Sequence, residues 1–421
     1  MSRSRDIILA SMVGTIIEWY GIFIFSSGAD YISKVFYPFV TSSVAILLTL
    51  LTFALGFVTR PVGAYIFGHY GDRIGRKKML LLTLMISGIS TGLTGLIPGY
   101  ASIGVAAIII LVILRLVLGF GLGGEWGGAM LLTLENFQSR RGFYSSFVQS
   151  TVGLGLLIGV FIFFPLAYYL PASAMIAYGW RIPFLFSFVI LIIGAFIRLK
   201  VSETPVFENE IKSKKIQKSP FKVLMKRHWK GVLTGTILAG SSGNFFYFAI
   251  ALLPVLMEEI YKMPVYFGLI GTAIFGIADI IFVFMGGMIS DAKGRKIIIA
   301  FANILALVII YPSVYLVSDY YFIIFITLFG VAHGLSYSPL GAMISEIFPA
   351  DVRYSGNSAA YQYGNSFIGG PAPYVSDYLG GISYVLYPVF TVIFILIALG
   401  TVIKTGETRN LSMDVTDEVE S

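Results

Sequence analysis

A short charged loop occurs twice in this chain, each time directly after a long apolar run. The first copy, GDRIGRK, covers Gly71–Lys77, and the second copy, SDAKGRK, covers Ser290–Lys296. The Asp, Gly, Arg and Lys positions of the two copies share one offset of 219 residues, about half of the 421-residue chain. A fixed offset of this size indicates two copies of one structural unit. Charge concentrated in a tight turn between apolar segments places that unit in a membrane.

The composition supports a membrane protein. Hydrophobic residues make up 57% of the chain and charged residues 12%, with a mean hydropathy of +0.86, which excludes an ordinary soluble domain. A membrane-spanning helix needs about 20 mostly apolar residues, and the chain has twelve such runs. Numbered as spans 1 to 12, their cores lie at 8–30, 43–67, 79–98, 103–134, 143–170, 180–199, 231–256, 266–289, 297–317, 321–345, 357–378 and 383–403. We therefore expect an all-α membrane protein with twelve transmembrane helices in two six-helix bundles.

The charge distribution predicts how the chain is divided and oriented. We expect the first bundle at 1–200, a basic linker at 201–230, the second bundle at 231–405 and a disordered acidic tail at 406–421. Most of the 29 Lys and Arg residues fall in segments on one side of this arrangement. The positive-inside bias then predicts that both termini are cytoplasmic. It also accounts for the net charge of +7 without a nucleic-acid partner. A multi-pass protein of the plasma membrane, functional as a monomer, is expected.

Several kinds of chemistry are not favoured by this sequence. The chain has no cysteine, no phosphate-binding Gly-Lys-Ser/Thr loop, and no cluster of His or acidic residues at metal-ligand spacing. We therefore expect no cofactor, no metal and no catalytic residue, and the chain is not expected to be an enzyme.

Two segments resemble the signatures of the major facilitator superfamily, namely the loop segment Gly68–Lys78 and the span 4 segment Arg115–Gly123. Further segments resemble its metabolite:proton symporter branch, which includes carriers of α-ketoglutarate, citrate, shikimate, and proline or betaine. These segments are Glu18–Tyr20, Arg60–Gly63, Gly123–Gly128, Gly179–Phe184, Glu203–Phe207 and Phe348–Gly356. The resemblance extends from about 8 to 405 and implies the twelve-helix fold and solute transport.

One position departs from that branch. Its members usually have Glu-Trp-Tyr/Phe-Asp-Phe in the first span, and this chain has Gly21 at the Asp position. An acid that takes part in proton coupling in such carriers is therefore missing here.

Four ionisable residues lie near the predicted membrane midplane, where an isolated charge is costly and so indicates function. Glu18, Asp279 and His333, in spans 1, 8 and 10, are candidates for proton coupling. Arg115 in span 4 is a candidate for binding a substrate carboxylate through two parallel hydrogen bonds. The structural alternatives are a permanent Glu18–Arg115 ion pair between spans 1 and 4, and a packing role for His333. The sequence offers no partner for Asp279.

Other polar side chains on spans 1, 7, 10 and 11 are candidate hydrogen-bond partners of a substrate, or contacts between helices. They are Tyr20, Asn244, Tyr247, Tyr337, Gln362 and Asn365.

The repeated loops are candidates for a gate between the bundles. Each loop Asp can accept hydrogen bonds from helix N-terminal amides, and the loop cations can bridge the two halves. We expect Glu135 to pair with Arg140 and Arg141, and Glu346 with Arg353. Glu125 is expected to form a gate or packing pair with a basic loop residue, and Arg60 is expected either to snorkel or to pair at the inner end of span 2. The candidate gating residues are Asp72, Arg73, Arg76, Lys77, Glu125, Glu135, Arg141, Asp291, Arg295, Glu346 and Arg353.

These features predict a secondary transporter that works by alternating access. The preferred mechanism is proton-coupled uptake of a small organic acid or a zwitterionic metabolite, with Glu18 carrying the proton and Arg115 holding the anionic group. Gly21 keeps open a proton-independent facilitator or exporter on the same fold. A membrane sensor built on a transporter fold is the alternative from another class, although the loops leave no room for a large signalling domain.

Overall fold

The computed structural model describes residues 2–212, 218–259, 261–263, 265–316 and 318–413, and these are almost entirely helical. Helices occur at all twelve predicted spans. In the first half the bounds are Ser2–Ser27 for span 1, Ser42–Val58 and Arg60–Ile74 for span 2, Arg76–Thr94 for span 3, Val105–Leu134 for span 4, Arg141–Gln149 and Thr151–Tyr169 for span 5, and Arg181–Lys200 for span 6.

In the second half, spans 7 and 11 each contain a π-helical turn, a feature that is frequent at functional sites. The bounds are Trp229–Tyr247, Phe248–Leu252 and Leu253–Glu259 for span 7, Val265–Lys293 for span 8, Arg295–Tyr315 for span 9, Asp319–Ile347 for span 10, Arg353–Gly364, Asn365–Gly369 and Ala372–Ile382 for span 11, and Val389–Lys404 for span 12.

Ten helices among the described residues are long and apolar enough to cross a membrane. The two remaining spans are span 3 and span 11. Span 3 begins with three basic residues and carries many hydroxyl side chains. The first segment of span 11, Arg353–Gly364, is polar along most of its length and is largely buried. Polar groups in a membrane protein must face the protein interior, so the polar composition of span 11 indicates a central position.

The spans pack as two groups that meet along two seams. Within the first half, spans 1, 3, 4, 5 and 6 contact one another, and within the second half span 10 packs on spans 8 and 9, while span 7 packs on spans 11 and 12. Spans 2 and 11 form one seam between the halves, and spans 5 and 8 form the other. At the second seam a Cβ on Gly153 would come within 2.5 Å of the Gly276 carbonyl. Such small residues let helix backbones approach closely.

The repeated loops adopt the same backbone turn in both halves. Gly75 has φ of 118° and Gly294 has φ of 107°, a region that favours glycine. Gly75 follows the end of span 2 at Ile74, and Gly294 follows the end of span 8 at Lys293. The face of the molecule that carries both loops is called the loop face below.

The linker and the first part of the tail are ordered in the structure. The linker contains two short helices, Pro205–Lys212 and Pro220–Arg227. The expectation of a disordered tail from 406 is wrong for residues 406–413, because this segment packs on the loop face and Met413 is 2% exposed. Its backbone carbonyls accept hydrogen bonds from buried arginines. The acidic remainder, 414–421, lies outside the described residues.

Candidate functional site

A buried ion pair lies at the centre of the first half. Glu18 Oε1 is 3.0 Å from Arg60 Nη1, and their side chains are 1% and 2% exposed. Arg60 begins the second segment of span 2, halfway along the span. The expectation that Arg60 lies at the inner end of span 2 is therefore wrong, and so is the alternative of a Glu18–Arg115 ion pair, because Glu18 pairs with Arg60. A charge held at this depth needs a charged partner, and Glu18 supplies it.

Arg115 has different surroundings. Its Nη2 donates to Thr94 Oγ1 of span 3 at 3.0 Å, and its guanidinium lies 4.3 Å from the centre of the Phe25 ring. Among the described residues no carboxylate lies within ion-pair distance of it. Gly21 faces span 3, as Arg115 does, because a Cβ on Gly21 would lie 3.2 Å from Thr91 Oγ1, and Thr91 is one helical turn from Thr94. The branch's usual Asp at this position would therefore face the neighbourhood of Arg115, and its replacement by glycine leaves that cation without an acid.

The Glu18–Arg60 pair extends into the second half. Arg60 Nη1 also donates to Gln362 Oε1 of span 11 at 3.5 Å, and Gln362 Nε2 donates to the Leu122 carbonyl of span 4 at 2.8 Å. The second carboxylate oxygen of Glu18, Oε2, is buried and has no hydrogen-bond partner among the described residues. The pair therefore joins spans 1, 2 and 11 and keeps one acceptor unsatisfied.

Aromatic side chains surround this pair. The Trp126 and Tyr361 rings stack with centroids 3.9 Å apart and planes 7° apart, and Tyr361 shares a hydrogen bond with Tyr337 through their hydroxyls. Trp126 Nε1 donates to Gln149 Oε1 at 2.8 Å. Tyr247 packs against Phe57 of the first half at 5.6 Å between ring centres. The Phe57 ring in turn lies 4.3 Å from the Arg60 guanidinium, so the aromatic cluster reaches the ion pair.

A second buried ionisable pair lies in the second half. His333 Nδ1 is 2.7 Å from Asp279 Oδ1, and both side chains are buried. His333 is thus the partner of Asp279 that sequence analysis lacked. The imidazole is enclosed by aromatic rings, with Tyr337 stacked at 4.6 Å and Phe246 at 4.7 Å between centroids.

Three other candidate substrate ligands make contacts elsewhere. Tyr20 donates its hydroxyl to the Pro183 carbonyl at 2.5 Å, within the first half. Asn244 accepts from Thr391 at 2.5 Å, within the second half. Asn365 donates to the Tyr361 carbonyl at 3.0 Å, within its own span. The structure therefore brings together Glu18, Tyr247, Tyr337 and Gln362, but not Tyr20, Arg115, Asn244 or Asn365.

At the loop face each repeated Asp binds the start of a helix in the opposite half. The Asp72 carboxylate accepts from the backbone amides of Tyr354 and Ser355 in span 11, at 3.1 and 2.9 Å. The Asp291 carboxylate accepts from the amides of Gly142 and Phe143 in span 5, both at 2.8 Å. Helix N-termini favour negative charge, so both contacts close the loop face across the seams.

Two buried glutamates strengthen this closure by pairing across the halves. Glu346 lies 3.1 Å from Arg295 of its own half and 3.1 Å from Arg141 of the other. Glu135 lies 3.4 Å from Arg76 of its own half and 3.8 Å from Arg353 of the other. The expected pairs of Glu135 with Arg140 and Arg141, and of Glu346 with Arg353, are therefore wrong. Spans 5 and 11 begin at the seams, so the residues at their starts, Arg141 and Arg353, face the opposite half.

Three residues expected at the gate do not cross the seams. Arg73 contacts His69 at 3.4 Å on the exposed surface, and Lys77 Nζ donates to the Leu199 carbonyl of its own half at 3.0 Å. Glu125 pairs with Arg198 near the end of span 6, within the first half. Its partner is therefore a helical residue, and the pair joins spans of one bundle.

A Glu-Thr dipeptide that follows the last span of each half was missed. Thr204 Oγ1 donates to Glu135 at 2.6 Å, and Thr408 Oγ1 donates to Glu346 at 2.6 Å. Glu203 accepts from the Lys77 amide at 3.1 Å, and Glu407 accepts from the Arg295 amide at 3.0 Å. The recurrence of the dipeptide after spans 6 and 12 was the available sequence signal.

The charge state of Glu407 reflects this capping role. Burial raises the pKa of the Glu407 carboxyl, but hydrogen bonds from the Arg295, Arg409 and Lys296 amides, with the nearby Arg295 charge, lower it more. The pKa of Glu407 therefore lies below its ordinary value, so the carboxylate form is favoured.

Among the described residues, no group of three or more His, Cys, Asp or Glu side chains is placed to bind a metal ion.

Comparison with known proteins agrees with this architecture. The family described as "Sugar (and other) transporter" matches residues 7–228 and 237–418. The inner membrane metabolite transport protein YhjE of Escherichia coli (strain K12) is 35% identical over 392 residues, which cover 90% of this chain and 88% of that protein. The citrate-proton symporter of Salmonella typhi is 31% identical over 377 residues, which cover 88% and 86% of the two chains.

A solved structure shares the fold. The proton:xylose symporter XylE of the major facilitator superfamily, bound to 6-bromo-6-deoxy-D-glucose, superposes with a TM-score of 0.78 at 19% identity, over 98% of both chains. The chain therefore belongs to the sugar (and other) transporter family and has the fold of the major facilitator superfamily, and it is a multi-pass transport protein of the plasma membrane rather than an enzyme.

Proposed function

We propose that this protein takes up a small organic anion together with protons by alternating access, with the loop face on the cytoplasmic side. The observation that carries the proposal is the buried Glu18–Arg60 pair, which contacts Gln362 of the other half and leaves Glu18 Oε2 without a hydrogen bond from any described residue. Transporter sites lie near the midplane between the repeats. The relation to a citrate-proton symporter supports an anionic solute and proton coupling.

The pair couples the two ligands by competition. A solute carboxylate that binds the Arg60 guanidinium through two parallel hydrogen bonds displaces the Glu18 carboxylate. Glu18 would then be an unpaired charge in a buried site, which is costly, and proton uptake removes that cost. Solute and proton therefore load together, and Arg60 replaces Arg115 as the proposed anchor, because Arg115 is held within the first half by Thr94 and Phe25.

The contacts that close the loop face indicate what must change before the solute can be released. Release toward the cytoplasm requires that the Asp72 and Asp291 caps and the cross-half pairs of Glu135 and Glu346 break. The solute can drive this change only through a difference in its affinity for the two states. Both halves of the site are provided by one chain, which supports function as a monomer.

Uptake by proteoliposomes tests the proposal. Mono-, di- and tricarboxylates and zwitterionic osmolytes are compared with and without an inward proton gradient, and we expect gradient-driven accumulation of a carboxylate. Uptake that is indifferent to the gradient for every solute that enters would refute proton coupling.

Variants of the pair test the mechanism. E18Q is expected to lose gradient-driven accumulation while retaining solute counterflow, which needs no net proton movement. R60K keeps the positive charge but loses the two-pronged geometry, and we expect KM to rise about 10-fold. Y20F serves as the matched control, since Tyr20 bonds only within the first half, and it should leave both measurements unchanged. Gradient-driven accumulation by E18Q equal to wild type would exclude Glu18 as the carrier.

The second candidate is a facilitator or exporter without proton coupling. Gly21 favours it, because the branch usually has an acid at this position and no carboxylate of the described residues pairs with Arg115. The same gradient comparison separates the two candidates.

A further inference from the structure

The geometry points to a second proton-carrying centre in the second half, formed by Asp279 and His333. This inference rests on the proton coupling proposed above and adds to it a site on spans 8 and 10. We infer that the pair binds and releases one proton in each transport cycle, together with the Glu18–Arg60 pair in the first half.

The repeat gives the pair its position. Arg60 precedes the loop residue Asp72 by 12 residues, and Asp279 precedes Asp291 by the same 12 residues. The two positions are therefore equivalent in the two halves, one occupied by a cation and the other by an anion. Each is neutralised from a different helix, since Arg60 pairs with span 1 and Asp279 with span 10. Each half thus holds a buried ionisable pair at this position, and the pair of the second half is charged only when His333 is protonated.

The surroundings make a net charge on the pair costly. Asp279 and His333 are 0% and 1% exposed, and the rings of Phe246, Phe275 and Tyr337 surround the imidazole. With one shared proton the pair is neutral overall, either as a carboxylic acid beside imidazole or as a carboxylate beside imidazolium. Loss of that proton to water leaves one buried negative charge. Such a charge is tolerated only where water or a cation reaches it, so proton exchange requires the site to open.

The seam between the halves controls that opening. Gly153 of span 5 packs closely against Gly276 and Ile280 of span 8, which flank Asp279 in the sequence. The crossing is tight, because a Cβ on Gly153 would be 2.6 Å from Ile280 Cγ1. Movement of span 5 along span 8 therefore uncovers Asp279, and it is the movement that alternating access requires. Proton exchange at this pair is thereby tied to the state of the carrier.

The titratable groups around the pair connect it to the first half. Span 10 contributes Tyr337, which stacks on His333 and bonds to Tyr361 of span 11. Span 7 contributes Tyr247, whose ring contacts the Phe246 ring beside the imidazole. Tyr247 also packs on Phe57 of the first half, and the Phe57 ring lies 4.3 Å from the guanidinium of Arg60, the partner of Glu18. Span 5 meets this part of span 8 through Gly153, which carries no titratable group.

Transport by D279N separates a proton-carrying role from a structural one. Asparagine keeps the shape and the hydrogen bond to the imidazole, but it holds no exchangeable acid proton. With the carboxylate that wild type accumulates fastest as the probe, we expect gradient-driven accumulation to fall at least 10-fold while counterflow stays within about 3-fold. S336A, a buried substitution one turn from His333 on span 10, is the matched control and should leave both assays unchanged. D279E, which retains a carboxyl, should restore part of the accumulation.

The outcomes distinguish this inference from the proposed function. Accumulation by D279N equal to wild type would overturn the second centre and leave proton coupling through Glu18 standing. A wild type that is indifferent to the gradient would overturn the proposed function first.

If D279N does not fold, ¹⁵N-histidine NMR of the wild type gives a second test. The chain has three histidines, and H69Q with H228Q leaves the His333 signal alone. We expect that signal to report a protonation change when solute and pH are varied, and a signal constant from pH 5 to 8 with and without solute would overturn the inference.

Discussion

Two clusters of charged contacts at the loop face have the same composition but are covered by different segments of the chain. The first junction is the cluster of Asp72, Glu135 and the dipeptide Glu203-Thr204, and the second junction is the cluster of Asp291, Glu346 and the dipeptide Glu407-Thr408. Each has a capping Asp, a glutamate shared by arginines of both halves, and a Glu-Thr dipeptide that holds the loop. In the first junction, residues after the dipeptide form the helix Pro205–Lys212, and the Phe207 ring lies 4.7 Å from the Arg76 guanidinium. In the second junction the corresponding residues are Arg409, Asn410 and Leu411, and Arg141 donates to the Arg409 and Leu411 carbonyls.

This difference changes what fills the space between the halves. Phe207 is 2% exposed and fills the first junction with apolar surface. The second junction keeps a cavity of about 450 Å³, with four arginines in its lining: Arg140, Arg141, Arg295 and Arg409. Duplication therefore retained the ion pairs that close the carrier and changed the segments that cover them. The charged contacts that close the loop face are therefore common to both halves, whereas the segments that pack over them differ.

The largest expected effect concerns the shared glutamates. E346Q leaves Arg141 and Arg295 without their common carboxylate, and breaking a buried pair of this kind costs about 3 kcal/mol. E135Q should cost less, because its cross-half contact to Arg353 is longer, at 3.8 Å against 3.1 Å for Arg141–Glu346. Both should shift the carrier toward opening at the loop face.

The absence of cysteine allows a clean measurement of this shift. Met130 is fully buried and lies against Gly341 of the other half, so M130C reports opening by its rate of maleimide labelling. We expect labelling to increase more for E346Q than for E135Q. Equal increases would show that the two junctions contribute alike to closure.

A smaller effect is expected from the covers. F207A removes a buried aromatic ring and should lower the free energy of unfolding by about 3 kcal/mol. L411A, at the corresponding position of the second junction, removes a half-buried side chain and should lower it by clearly less. Thermal unfolding of the purified variants measures both, and a greater loss for L411A would contradict the difference in cover described here.

The smallest effect is a pH dependence of the second junction. The pKa of Glu407 is lowered in the folded protein, so its capping contribution is complete above the ordinary Glu pKa and is lost as pH falls through the lower folded value. Labelling of M130C should therefore rise at acid pH in wild type, and E407Q should show a smaller acid-induced rise. An unchanged acid response in E407Q would assign the effect to another group.

The sequence alone allowed the fold and the depth of Glu18 and Asp279 to be predicted, but it placed Arg60 too close to the inner end of span 2. The repeat at Asp72 and Asp291, the glycines at 75 and 294 and the length of the apolar runs are local features, and local backbone preference and hydropathy are sufficient to interpret them. The positions of Glu18 and Asp279 within their spans follow from the same counting.

Only the tertiary structure decided which charges meet. Glu18 pairs with Arg60 instead of Arg115, and Glu346 pairs with Arg141 of the other half, because partners depend on how each helix is rotated and where the helices cross. A one-dimensional pattern gives the depth of a residue in the membrane but not its direction around the helix axis relative to five neighbours. For the same reason the sequence did not predict the order of residues 406–413. This polar segment is held in place because Arg141 of span 5 and Arg353 of span 11 donate hydrogen bonds to its backbone carbonyls.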